Sequence, residues 1–293
     1  MTPLISVITV NFNAGSELRA CLESIASAMH DRAWEAVVVD NASTDGSEAA
    51  ADEFAPQVRL LRNPANIGFG RAVNQGLAIA RAPLVLLINP DCQLGTGALE
   101  PLEEALAAHP SCAIVGPKIL DPDGTVQGSA RGDPDMLTGL FGRTSALRRL
   151  LPGLGVSQRN VVSPDWDPGS GTRDPEPVDA LRVDWVSGAC MLARAEVLRR
   201  VGGFDERYFL YWEDADLCRR VRALGHETRY VPDAVVMHRV GHSSRTARAA
   251  SIRAFHDSAY LYYATHVAPG SLDPRRPIAR ALLAARCYLQ LRS

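Results

Sequence analysis

The stretch YFLYWEDADLCRRVRALGH (Tyr208 to His226) sets three carboxylates, Glu213, Asp214 and Asp216, between an aromatic run and an amphipathic helix. Acids at a helix start are favoured by the positive end of its dipole, so capping is one reading. The other is a general base that takes a proton from an incoming nucleophile. Helical phase separates the three. Leu217, Val221 and Leu224 mark the inward face, and Asp214, three residues before Leu217, leans toward it. Asp216 lies four residues before Arg220, on a side suited to an exposed ion pair. Burial beside Tyr211 and Trp212 would raise the pKa of Asp214 toward a useful range, since desolvation disfavours the charged form. Glu213 is placed to orient a substrate or to support Asp214.

A second set of polar residues falls at the ends of apolar runs. Asn11 and Asn13 follow LISVITV, Asp40 and Asn41 close WEAVVVDN, Asn66 follows VRLLRN, and Asn89 and Asp91 follow PLVLLI. In open α/β sheets ligands gather beyond the carboxyl ends of the strands, so four such ends carrying Asn or Asp describe one assembled polar site. A dinucleotide fingerprint does not fit. NFNAGS holds a single glycine, and GFGRAVNQG has Val73 where the third glycine belongs.

These residues must be positioned by strands and helices that alternate through the first 120 residues. Near-continuous apolar strands between amphipathic helices, such as SELRACLESIASA with Leu18, Cys21, Leu22 and Ile25 on one face, predict an α/β fold. Its central sheet is mostly parallel, with helices on both faces. Residues 121–182 are rich in Pro, Gly and Asp and read as a mobile loop or lid insert around the apolar, arginine-bearing MLTGLFGRTSALRRLLPGLG. Structure resumes over 183–245, and 246–293 is a helical basic tail. From Arg239 onward nine arginines stand against Asp257 and Asp273, a net +7 in a chain of −2 overall. That overall charge argues against a nucleic-acid partner. The six cysteines show no CxxC or metal-like spacing and suit buried free thiols. The N-terminus lacks the pattern of a secretory signal, and no run reaches the ~20 apolar residues of a membrane span, so a cytoplasmic protein is expected.

The motifs SVITVNFNAGSELRACLESI, VVVDNASTDGS, NPANIGFGRAVNQG, LLINPD, WVSGACMLARAEVLRRVGGFDERYFLYWEDADLCRRV and HRVGHSS, in this order, resemble family-2 inverting glycosyltransferases of the GT-A fold. The bacterial rhamnosyltransferases are the subgroup most resembled. The resemblance implies a nucleotide-diphospho-sugar transferase in which residues 1–120 bind the donor and 183–245 carry the acceptor and catalytic half. It implies Asp40 as the acid that holds the pyrimidine base, flanked by the main chain of Thr9, Val10 and Asn11, with Asn66 nearby. Arg71 stands where the family often places a basic residue near the nucleotide or its phosphates. NPD replaces the usual Asp-x-Asp, so Asp91 takes the metal contact and Asn89 the place of the first acid. His238 matches a late histidine of the metal–diphosphate unit, with His242 and Ser243 weaker candidates. Asp214 matches the base, and Gly188 borders the donor sugar.

The same resemblance implies transfer from dTDP-L-rhamnose, or alternatively from a UDP-sugar, assisted by Mg2+ or Mn2+. The acceptor would be a hydroxyl of a cell-surface glycan or its polyprenyl-diphosphate-linked precursor. A non-catalytic nucleotide-sugar-binding scaffold is the contrasting expectation, motivated by Asn89. The tail reads either as a peripheral membrane contact or as a helix packed on the catalytic domain or on a second copy of the chain.

Overall fold

The computed structural model describes residues 3–29, 32–132, 180–239 and 248–292. The apolar runs form the strands expected of them: β1 (Ile5–Asn11), β2 (Trp34–Asp40), β3 (Val58–Arg62) and β4 (Leu84–Ile88). Helices α1 (Glu17–Ala28) and α2 (Phe69–Ile79) connect them, with a 3-10 turn at Ser47–Phe54. Next come β5 (Cys92–Leu94), α3 (Leu99–Ala108), β6 (Cys112–Leu120) and the short β7 (Ala130–Arg131). After residue 180 come β8 (Leu181–Val183), β9 (Trp185–Val186), β10 (Cys190–Arg194), α4 (Ala195–Arg200), α5 (Glu213–Ala223) and β11 (Glu227–His238). Helices α6 (Arg248–Tyr262) and α7 (Arg275–Arg292) end the chain.

The main sheet has the order β3-β2-β1-β4-β10-β6-β11-β5, with β8 paired to β11. Its first four strands are parallel. The second half is mixed: β10 runs antiparallel between β4 and β6, and β5 and β8 run antiparallel to β11. The mostly parallel sheet expected is thus parallel throughout its N-terminal half and, beyond β4, only between β6 and β11. Two apolar cores cover the faces. Leu18, Leu22, Ile25, Leu99 and Leu102 pack on one, and Val73, Leu77, Leu198, Leu217 and Val221 on the other.

Strand order reverses between β1 and β4, where α/β sheets open a ligand crevice. Here β1 pairs with β2 as far as Asn11↔Asp40, but with β4 only as far as Ile8↔Leu87. Thr9, Val10 and Asn11 therefore overhang the neighbouring strand at the crevice. Residues 121–132, read from composition as loop, contain a tight turn and β7, which pairs with β9. The apolar segment within 133–179, and His242 and Ser243, lie outside the described residues.

Candidate functional site

At the ends of β1 and β2 the polar residues form one hydrogen-bonded cluster. The buried Asn11 amide donates to Asp40 Oδ1 (2.8 Å), Ser43 Oγ (3.0 Å) and Ser47 Oγ (2.8 Å). Asp40 also accepts from the backbone and hydroxyl of Ser43, at 3.0 and 2.6 Å. Asn41 accepts from Asn63 and donates to Gly68 O (3.2 Å) and Asn66 Oδ1 (3.4 Å), while Asn66 Oδ1 takes the Gly68 N–H at 3.0 Å. Gly68 has φ +91°, and a side chain there would meet Phe209 O at 2.7 Å, so only glycine fits. Phe69 N–H donates to the same Phe209 O, tying this cluster to the loop that leads into α5. Thr9 and Val10 lie inside β1 with buried side chains, and Arg71 sits on an exposed flank of α2, 3.5 Å from Glu206.

Asp91 and His238 come together from the end of β4 and from β11, Oδ1 to Nε2 at 3.2 Å. The pairing of β5 with β11 causes this, since it sets Cys92 opposite His238. Cys92 completes a group of three potential ligands within 4.8 Å. Its thiol is fully buried and donates to Ala189 O, and soft sulfur is a poor match to a hard cation. One carboxylate and one imidazole remain, an O/N donor set that fits Mn2+ or Mg2+ with the rest of the shell left to a ligand.

The acid pair starts α5 after two consecutive non-glycine residues at positive φ, Tyr211 (69°) and Trp212 (70°). Strain of this kind is held only where the surroundings over-determine it. Here they do: Tyr211 and Trp212 pack on Phe255, and Trp212 also on Tyr262, all from α6. The half-buried Asp214 accepts from Gly188 N–H (3.0 Å, Oδ2) and Ala215 N–H (2.8 Å, Oδ1). Burial raises its pKa, opposed by those two N–H groups and the charge of Arg131. Glu213 is 6% exposed and is pushed up to about 8, first by burial and then by the Asp214 charge. Its Oε2 is buried without a hydrogen-bond partner among the described residues. When two carboxyls share one site, the better-solvated one ionises first. Burial therefore holds Glu213 further toward its neutral form than Asp214, which has two N–H donors for its charge.

One run of backbone links these stations. Gly188 N–H holds Asp214, the next residue's carbonyl, Ala189 O, accepts from Asn89 N–H at 2.8 Å, and Asn89 leads through Pro90 to Asp91. Base candidate and metal candidate thus flank the same turn. The nearest neighbour to Gly188 on its side-chain side is Asp214, at 3.4 Å.

Asp216 departs from expectation. It does pair with Arg220 (2.6 Å), but it is fully buried and also contacts His266 Nε2 at 2.6 Å. The C-terminal helices cover the flank that helical phase alone leaves open. His266 thereby has a structural partner, which an isolated histidine in the sequence does not announce. Sequence reading also missed Arg131, whose charge acts on Asp214, and Gln127, 3.0 Å from His238 Nδ1. Both sit in a Gly-, Pro- and Asp-rich stretch without periodicity, so no local pattern marks them.

Residues 6–153 match the family described as Glycosyl transferase family 2. The whole chain is 36% identical, over 304 residues covering 94% of the relative, to the N-acetylglucosaminyl-diphospho-decaprenol L-rhamnosyltransferase of Mycobacterium tuberculosis. In fold it resembles a Pyrobaculum calidifontis mannosyltransferase solved with GDP-Man and Mn2+. The TM-score there is 0.59 at 19% identity, covering 99% of this chain and 70% of that one. It also resembles GalNAc-T7 solved with UDP, GalNAc and Mn2+, with TM-score 0.62, 16% identity and coverage of 89% and 48%.

Proposed function

This chain belongs to glycosyl transferase family 2 and is a glycosyltransferase of GT-A fold; from that premise we propose that it transfers L-rhamnose from dTDP-L-rhamnose, with inversion, to a lipid-linked acceptor in cell-wall or polysaccharide synthesis. Support for the rhamnosyl donor and the polyprenyl-diphosphate-linked acceptor comes from the full-length similarity to an enzyme named for both. The observation that carries the chemistry is the placement of Asp214 and Asp91 on either side of the Gly188–Asn89 turn.

The nucleotide lies along the overhanging main chain of Thr9, Val10 and Asn11, with Asp40 and Asn66 toward the base and Arg71 on the outer flank. Asp91 and His238 would hold a divalent cation beside the diphosphate. When bound, that cation neutralises the charge of the leaving nucleotide. Asp214, kept ionised by its two N–H donors and Arg131, takes the proton of the acceptor hydroxyl as that oxygen attacks the anomeric carbon from the face opposite the diphosphate. Such assistance is worth roughly 10²–10⁴-fold in rate. Glu213 remains neutral and does not compete for that proton. Gly188 borders the sugar, and its backbone aims Asp214.

The acceptor's lipid end suggests where the protein works. Among the described residues no helix is long and apolar enough to cross a membrane. On α7, however, Ile278, Leu282 and Leu289 point outward at 59%, 49% and 66% exposure, beside the exposed Arg275 and Arg292. We infer that this face rests on an anionic bilayer at the cytoplasmic side. Co-sedimentation with phosphatidylglycerol vesicles should fall sharply in an Ile278→Glu/Leu282→Glu variant. Unchanged sedimentation would remove α7 as the contact.

The donor assignment is tested by incubating the protein and Mn2+ with a short-chain polyprenyl-diphospho-GlcNAc and either dTDP-L-rhamnose or UDP-sugars. Rhamnosyl product from the first donor alone is expected. Turnover only with a UDP-sugar would replace the donor and keep the machinery. Binding of nucleotide without any turnover would favour a scaffold.

A further inference from the structure

His238 is approached from both sides of its ring. Nε2 faces Asp91 Oδ1 at 3.2 Å, and Nδ1 lies 3.0 Å from Gln127 Oε1. Which end of an amide faces a histidine has to be read from its other partners. For Gln127 those partners are decisive. Its Nε2 donates to Asp121 Oδ1 at 2.8 Å and lies 3.4 Å from the carbonyl oxygen of His238. A carboxylate and a carbonyl only accept, so the amide nitrogen must point at them, and Oε1 is left for the ring. An amide oxygen also only accepts, so Nδ1 carries a hydrogen. In the neutral ring Nε2 then presents a lone pair toward the Asp91 carboxylate, and two converging acceptors are the arrangement that takes up a cation.

The Gln127 side chain is held by its backbone as well. Gln127 N–H donates to Ile119 O at 2.8 Å, and Asp121 N–H to Thr125 O at 2.8 Å, closing a tight turn at the end of β6. The turn brings Asp121 and Gln127 beside the end of β11. Gln127 meets the ring at Nδ1, whereas Asp91 faces Nε2, so the bond from Gln127 acts on Nε2 through the imidazole.

We propose that Gln127, fixed in orientation by Asp121, is a positioning residue that locks His238 as its Nδ1–H tautomer and so delivers Nε2 as a metal ligand opposite Asp91. The ligand part rests on the reading that Asp91 and His238 bind a divalent cation; the tautomer part does not. Outer partners of a metal-bound histidine fix ring and tautomer, and their loss typically costs 10–100-fold in metal affinity.

The test uses the full-length protein. First, ¹⁵N NMR of metal-free protein, at a pH where the ring is neutral, reads the tautomer of His238 directly. Second, calorimetry with Mn2+ alone reads affinity for wild type, Gln127→Leu and the reciprocal exchange Asp121→Asn/Gln127→Glu. The exchange restores an acceptor for Nδ1 and a donor from position 121 even if Gln127→Leu folds poorly. The expected result is an Nδ1–H ring in wild type, loss of that preference and roughly 10–100-fold weaker Mn2+ binding in Gln127→Leu, and recovery to within a few-fold in the exchange. A wild-type ring protonated at Nε2 would overturn the proposal. So would Gln127→Leu keeping both tautomer and affinity, or an exchange variant that folds but recovers neither. An Nδ1–H ring in a wild type that binds no Mn2+ would uphold the lock and refute the cation site instead.

Discussion

The two halves of the cleft carry similar backbone strain but bond their polar groups to different degrees. On the donor side Asn11, Asp40, Asn41, Ser43, Asn63 and Asn66 are joined by hydrogen bonds, although Asn11 Oδ1 is buried without a partner among the described residues and Asn13 and Ala42 sit at positive φ. On the acid side the two positive-φ residues, Tyr211 and Trp212, are adjacent, and Tyr208 Oη, Trp212 Nε1 and Glu213 Oε2 are buried without hydrogen-bond partners among the described residues. Cross-bonded polar networks favour one geometry, whereas strain and unpaired buried polar groups are tolerated where they serve a reaction. The lesson is a division of labour: most donor-side groups are paired before anything binds, while the acid side leaves a carboxyl oxygen unpaired.

The largest effect should come from the reactive side. Asp214→Asn keeps an acceptor for Gly188 N–H but loses its charge, so kcat should fall roughly 10²–10⁴-fold while nucleotide binding persists. Steady-state kinetics beside calorimetry would show it, and near-normal turnover would break the contrast. On the recognition side Asn11→Ala removes the amide that donates to Asp40, Ser43 and Ser47, which costs about 1–3 kcal/mol in urea unfolding. A cost near zero would mean that the network does not favour one geometry.

Glu213 sharpens the comparison through pH. Its folded pKa is raised above 4.5, so between that value and about 8 the native state binds more protons than the unfolded chain. Stability should therefore fall as pH rises through this window, by at most about 1.4 kcal/mol per unit. Glu213→Gln should flatten that slope in unfolding measured across the range, while an unchanged slope would deny the neutral acid. The smallest effect belongs to Arg71→Ala. Its exposed pair with Glu206 contributes less than about 1 kcal/mol to folding. Any large change should appear in KM for the nucleotide, and none there would take Arg71 off the donor path.

The donor side was the more legible half in the chain. Each apolar run ends in Asn or Asp, and the parallel sheet gathers those ends without help from distant segments. For the acids helical phase misleads: Asp214, which it leans inward, is the least buried of the three, and Leu224, which it also places inward, is exposed. The features that escaped depend on contacts remote in sequence. The antiparallel insertion of β10 arises from no local period, the Gln127–His238 bond spans 111 residues, and the burial of Asp216 is imposed by His266, 50 residues on. Helical phase says which way a side chain leans, but not what arrives to cover it.

The dependence of the Tyr211–Trp212 turn on Phe255 and Tyr262 has a consequence for the order in which competence is acquired. A ribosome releases the Asn11–Asp40 cluster well before the aromatic buttress behind the acids. A growing polypeptide can assemble its handle for the nucleotide well before it owns a tool for the bond.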